Sequence, residues 1–371
     1  MSTTLVLPQY TLVTCMCNCF FNFALNSLLC ANKDSRSGPN FTGSCLFFPV
    51  VPLDILSVMR TDLLRRPLAC TLILSLVAPV SGFAWGNEGH RIVNRLAAAT
   101  LPAEVPAFLH SEAALNEIEY LGPEPDRWRS RAEPELSAAQ APEHFLDLEP
   151  ADALGALPRN RLDFEALVFA HGQRPEKIGL QPWETVEVYQ RLKAAFREYR
   201  RLSSSSRGNQ FGNQSGNLND LPAVEQAIIF YAGWLGHYVG DGSQPLHTTI
   251  NYDGWTLKDN PRGFTTAHGI HSRFETQFVS ANITAADVQK QMTPPQAIPG
   301  DVFDSYVAYL RQTATQIETV YAFDKAGAFD NAGTPESREF TAQRIAAGAS
   351  ELRDLIYTAW AESAKPVPDR S

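Results

Sequence analysis

Gly236-His237-Tyr238-Val239-Gly240-Asp241-Gly242-Ser243-Gln244-Pro245-Leu246-His247 decides how the rest of the chain is read. The run Ala227-Ile228-Ile229-Phe230-Tyr231-Ala232-Gly233-Trp234-Leu235 leads into it, apolar on every side, as a helix sealed in a core would be. His237 and Asp241 are four residues apart, so a helix projects both from one face. Gly240, Gly242 and Pro245 are expected to break that helix, and His247 returns from the turn that follows. Imidazole and carboxylate held together in this way are a zinc ligand set. Taken alone, His237 reads equally well as a core histidine beside a helix-end aspartate. A second pair, His271 and Glu275, again at i, i+4, weights the reading toward metal.

The 371-residue chain has two unlike parts. All six cysteines (Cys15, Cys17, Cys19, Cys30, Cys45 and Cys70) precede Trp85. Residues 85–371 therefore need neither a disulfide nor a thiolate ligand. Within the 1–84 leader, residues from about 59 to 84 read as a secretory signal. Arg60, Arg65 and Arg66 are its charged region, and Leu68 to Val80 an apolar stretch too short for a stable membrane span. Gly82-Phe83-Ala84 offers small residues for cleavage before Trp85. Met59 stands directly ahead, which makes it the expected start of translation. The expected location is secreted or periplasmic.

The chain carries 31 basic and 40 acidic residues, of which residues 1–84 hold five and three. The remainder has 26 against 37, a net charge of −11. Such a surface gives no general footprint for a polyanion, so phosphate binding must be local, and bound cations could supply it.

Trp85-Gly86-Asn87-Glu88-Gly89-His90 opens the second part, and Arg91 to Ala99 has helical spacing. Cleavage before Trp85 would give it a free α-amine. That amine and its own carbonyl oxygen can chelate a metal, with His90 one turn on. Trp-Gly-x-x-Gly-His at a processed N-terminus, followed by the His237–His247 stretch, resembles the S1/P1 nuclease family. That family shares its all-α, single-domain, multi-helix fold with zinc-dependent bacterial phospholipase C. The resemblance spans most of residues 85–280 and thins out beyond.

The resemblance implies further site residues. Asp126 takes the place of a zinc-ligand aspartate, with Arg129 three positions later near the substrate phosphate. Glu143-His144-Phe145-Leu146-Asp147 resembles the family's His-Phe-Ile-Asp, in which histidine binds zinc, phenylalanine stacks on a base and aspartate bonds the base edge. The alternative for Phe145 is plain core packing, and for Asp126 with Arg129 a surface pair. The implied cluster is three Zn2+ ions. Asp126, His144, His237 and Asp241 hold one; Trp85, His90 and a bridging Asp241 hold a second; His247, His271 and Glu275 hold the third. Zinc lowers the pKa of bound water to about 7, so a zinc-activated hydroxide would attack phosphorus in line.

Two departures bear on substrate. Residues 248–267 form a long loop where the nucleases have a Gly-Gly-Asn element. Glu275 stands where the nucleases usually have aspartate, and Gly-x-His-Ser-x-aromatic-Glu resembles the phospholipase C branch instead. The leading expectation is a hydrolase of phosphoric esters acting on single-stranded nucleic acid or 3′-nucleotides. The alternatives are a phospholipase C on the same scaffold and a non-catalytic, zinc-stabilised binding protein. No obligate protein partner is implied.

The other segments read as scaffold. Residues 101–125 look like one short helix, and 150–182 carry an apolar segment around Phe164 with a solvent-facing His171. Trp183 to Leu202 is amphipathic, Ser203 to Asn217 a mobile polar loop, and 301–322 and 336–363 two further amphipathic helices.

Overall fold

A computed structural model of the chain describes residues 85–205 and 218–366, all within the compact unit Pro79–Ser371. The leader, with its cysteines and signal, lies outside the described residues, as does most of the polar loop. Among the described residues the regular elements are helical, with one isolated bridge between Tyr252 and Gly254, so the all-α expectation holds. No helix described is long and apolar enough to cross a membrane.

The frame consists of α1 (Gly86–Ala99), α2 (Glu112–Leu121), α3 (Glu124–Trp128), α4 (Gln181–Ser205), α5 (Leu221–Ser243), α6 (Val302–Ala314), α7 (Ile317–Lys325) and α8 (Pro335–Ser363). Helix α5, containing the stretch that opens the sequence reading, is the hub. It packs against α1, α2, α4, α6 and α8. Its apolar residues explain the position: Ile228, Ala232, Leu235, Tyr238 and Val239 are all fully buried, and from Leu235 to Ser243 no residue is left for water.

The glycines do not break α5 as the sequence suggests. The helix runs through Gly240 and Gly242 to Ser243, and Gln244 at its end is extended. These glycines serve close approach instead. A Cβ on Gly242 would lie 2.5 Å from the Tyr306 hydroxyl, and one on Gly236 would lie 2.0 Å from Asn94 Oδ1. The missing side chains let α1, α6 and α8 come within backbone distance of the hub.

Side chains from the neighbours add hydrogen bonds to carbonyls in the last two turns of α5. Tyr306 donates to the Tyr238 carbonyl at 2.9 Å and Tyr309 to that of Val239 at 3.2 Å. The buried Trp85 indole donates to the Gly240 carbonyl and to Ser243 Oγ, both at 2.8 Å. Each bond fixes the turn that carries Asp241.

Three segments differ from the sequence reading. Residues 107–121 form a short 3-10 turn and α2, with α3 separate at Glu124. The single helix expected over 301–322 is α6 and α7, parted at Thr315-Gln316. Ser203, Ser204 and Ser205 extend α4 rather than begin a loop. Residues 336–363 are helical as expected, with Thr334 and Ser337 capping each other at the start.

Asn94 is fully buried and its amide donates to the Ile118 and Gly233 carbonyls, so it cannot retreat from an added methyl. Gly236→Ala is therefore expected to cost about 1–3 kcal/mol of stability. Thermal or denaturant unfolding of the variant measures it, and an unchanged midpoint would contradict this packing.

Candidate metal centre

Three groups of histidines and carboxylates converge where α1, α3 and α5 meet the segments at 141–147 and 245–275. They are Asp126, His144 and His237; His90, His237 and Asp241; and His247, His271 and Glu275. Within each group the nearest ligand atoms lie within 4.8 Å of one another. The eight side chains singled out as metal ligands in the sequence thus fall into these groups, drawn from segments up to 185 positions apart.

Asp241 is completely buried and its two oxygens face different ways. Oδ1 is 3.3 Å from His90 Nε2. Oδ2 is 3.1 Å from His144 Nδ1 and 3.4 Å from His237 Nε2. One carboxylate therefore stands between the first two groups, as a bridging ligand would. His90 and His237 stack in parallel behind it, with centroids 4.0 Å apart.

Backbone carbonyls settle which ring nitrogens are free. His237 Nδ1 lies 2.8 Å from the Gly122 carbonyl, His247 Nδ1 2.7 Å from that of His144, and His271 Nδ1 3.0 Å from that of Tyr252. A carbonyl only accepts, so each Nδ1 carries a hydrogen, and each ring when neutral keeps its lone pair on Nε2. His247 Nε2 then faces His271 Nε2 at 3.2 Å, and His237 Nε2 faces His144 Nδ1 at 2.9 Å. Two ring nitrogens at such distances need a proton or a cation between them. Among the described residues, buried Asp126 Oδ2 and Glu275 Oε1 also have no hydrogen-bond partner, which is costly in a core. Imidazole with carboxylate and no thiolate suits zinc. On these grounds the residues fit the ions that the sequence reading assigns to them.

The charge balance agrees. Burial pushes the Asp126 carboxyl up to about 7 and that of Asp241 up to about 8. Burial also holds His144 and His237 well below the ordinary histidine value. The third group behaves differently. Burial opposes charge on His271 and Glu275, but their mutual attraction, at 2.8 Å, raises the first and lowers the second to about 2. Without a cation the site satisfies itself with protons, which a bound metal would displace.

Trp85 lies beside this cluster, with its carbonyl accepting from the Gly89 amide at 3.0 Å. Arg129 Nη1 reaches to 3.5 Å from Asp126 Oδ1 while its side chain stays partly exposed. The segment 144–147 is threaded between two neighbours. Leu146 N donates to the His247 carbonyl at 3.0 Å and Asp147 N to that of Ile178 at 2.7 Å. Phe145 is half-buried, with its carbonyl against Gly179, where any Cβ would sit 2.1 Å away. Asp147 is buried, and that burial, reinforced by Glu149, raises its carboxyl to about 7.

His271 and Glu275 are not on one regular α-helix. Ile270–Ser272 is a single α-turn, and Arg273–Phe278 a π-helical one. Their pairing survives the wider turn. His268 lies ahead of this helix, largely exposed and 3.3 Å from Asp253, so it is no ligand. Sequence reasoning missed the supporting groups: the Gly122, His144 and Tyr252 carbonyls, and Gln244, whose Nε2 donates to Glu275 Oε2 at 3.0 Å. A backbone carbonyl leaves no signal in a sequence, although Gln244 sits inside the deciding stretch.

No family model matches the chain, and no curated protein matches it. Among solved structures it is similar to the alpha toxin from Clostridium absonum, at a TM-score of 0.36 and 14% identity. The match covers 76% of this chain and 66% of that one.

The raised carboxyls carry a pH signature. Asp126 and Asp241 hold protons in the folded, metal-free chain that they would lose when unfolded. Their contribution is present below the ordinary carboxylate range and lost as pH rises through about 7 to 8. Metal-free protein is therefore expected to melt at falling temperature between pH 6 and 8.5, and zinc to restore the loss. Melting curves with and without chelator test this; a flat metal-free profile would contradict it.

Proposed function

We propose that this chain is a zinc-dependent hydrolase of phosphoric esters, of S1/P1 nuclease type, acting on single-stranded nucleic acid or 3′-nucleotides. The observation that supports it most is the buried Asp241 carboxylate, with one oxygen toward each of two histidine groups and a third group alongside. Asp126, His144, His237 and Asp241 would hold one ion, His90 and Asp241 with the Trp85 backbone a second, and His247, His271 and Glu275 a third. Bound there, zinc supplies Lewis acidity and a water acidified to a pKa of about 7.

The chain's own groups do the rest. Arg129, partly exposed beside Asp126, neutralises phosphoryl oxygens as charge builds on them. Gly122, His144 and Tyr252 carbonyls hold three imidazoles in the tautomer that leaves Nε2 free. Phe145, half-buried, would offer a ring for a base to stack on, and Asp147 a carboxyl to bond the base edge. Secretion, with cleavage ahead of Trp85, is part of the same proposal and supplies the α-amine.

Phospholipase C chemistry on the same scaffold is the second reading. It is favoured by Glu275, one methylene longer than the nuclease aspartate, and by the loop at 248–267.

Purified protein would be assayed side by side on single-stranded DNA, RNA and phosphatidylcholine, with and without chelator. Chelator-sensitive release of nucleotides without lipid cleavage is the expected result. Lipid cleavage alone would overturn the nuclease reading in favour of the second. Neither activity in zinc-loaded protein would leave a binding protein. Phe145→Ala is expected to raise KM for single-stranded DNA about tenfold, in line with the loss of one stacking contact, at unchanged zinc content. Unfolding of that variant would make Phe145 a core residue instead.

A further inference from the structure

The loop at 248–267 has a fixed corner, and that corner holds His271. Buried Tyr321 of α7 bonds it from the core side. Its hydroxyl donates to the Asn251 carbonyl at 2.5 Å and accepts from the Gly254 amide at 3.0 Å. The returning arm of the loop is tied to the same corner, with Trp255 N donating to the Thr265 carbonyl at 2.8 Å. Between these anchors stand Tyr252 and Asp253. The Tyr252 carbonyl takes the hydrogen of His271 Nδ1 at 3.0 Å. Asp253 Oδ1 accepts two backbone amides, from Gly269 at 2.6 Å and from His271 itself at 3.2 Å.

His271 is thus gripped twice by consecutive residues, through its ring and through its backbone. The grip matters because the helix it opens begins irregularly. A single α-turn, Ile270–Ser272, runs straight into a π-helical turn, and Gly269 ahead of it offers no side-chain cap. The Asp253 carboxylate, acting across 16 to 18 positions, serves as that cap. The other two groups draw their ligands from α1, α3 and α5 and from His144, all buried. The third alone depends on a loop for placement.

We infer that Asp253 is the positioning residue of the His247–His271–Glu275 group, fixing His271 so that this group holds its ion independently of the other two. This rests on the metal reading above. Asp253 touches neither ion nor substrate in this role; it acts through the His271 backbone and the Tyr252 carbonyl beside it.

The test counts and ranks bound zinc in the full chain by elemental analysis and chelator competition, for the natural protein, Asp253→Ala and Asp253→Asn. Failure of the natural protein to bind zinc would sink the metal reading itself, before Asp253 is at issue. If zinc binds, Asp253→Ala is expected to keep two ions at natural affinity and to weaken one by about 10- to 100-fold, the usual scale for losing an outer-shell partner. Asp253→Asn retains an amide oxygen where Oδ1 accepts, so it is expected to restore the third ion. Natural affinity for all the ions in Asp253→Ala would overturn the inference. So would equal loss of every ion, which marks a general fold defect, or an asparagine variant as impaired as alanine. Cobalt substitution gives a second readout, since the inference requires Asp253→Ala to alter the absorption of the weakest-bound ion alone.

Discussion

The Asp241 carboxylate is the constraint on which the rest depends. It is fully buried, four histidines surround it, and among the described residues no lysine or arginine forms an ion pair with it. An isolated carboxylate in such a place would cost several kcal/mol. Its burial is met in one of two ways, by a proton or by cations. The carboxyl's rise to about 8 is the first answer, and the two-sided placement of its oxygens is the geometry of the second.

The scaffold follows from that need. To bury Asp241 the second half of the hub helix is enclosed by its neighbours, and glycines recur where α1, α6 and α8 meet it. Hydroxyls and an indole then take up the carbonyls at its end. The supporting carbonyls of Gly122, His144 and Tyr252 extend the same logic outward. They orient three imidazoles so that each turns Nε2 toward the cluster. Site and fold are here one problem, because the groups that form the centre are those that the core has to neutralise.

The sequence carried the ligands more clearly than their surroundings. His237 with Asp241, and His271 with Glu275, were legible because i, i+4 spacing puts both on one helical face. His247, His144, Asp126 and His90 followed from short motifs, and all converge in space. The glycines were misread, since a sequence shows that Gly242 can bend a chain but not that the Tyr306 hydroxyl approaches it from 64 positions away. The π-helical turn was hidden because Arg273–Phe278 reads as ordinary helix. The break between α6 and α7 was hidden because apolar spacing continues across Thr315-Gln316. Asp253 carried no signal, for its partners are amides and amides have no letter in a sequence.

The most direct measurement is the number of zinc ions bound per chain, in the natural protein and in Asp241→Asn. The account requires one ion for each of the three groups in the first. In the second, the two groups that share Asp241 should both weaken while the third keeps its ion. Full zinc content in the variant, or none in the natural protein, would contradict it.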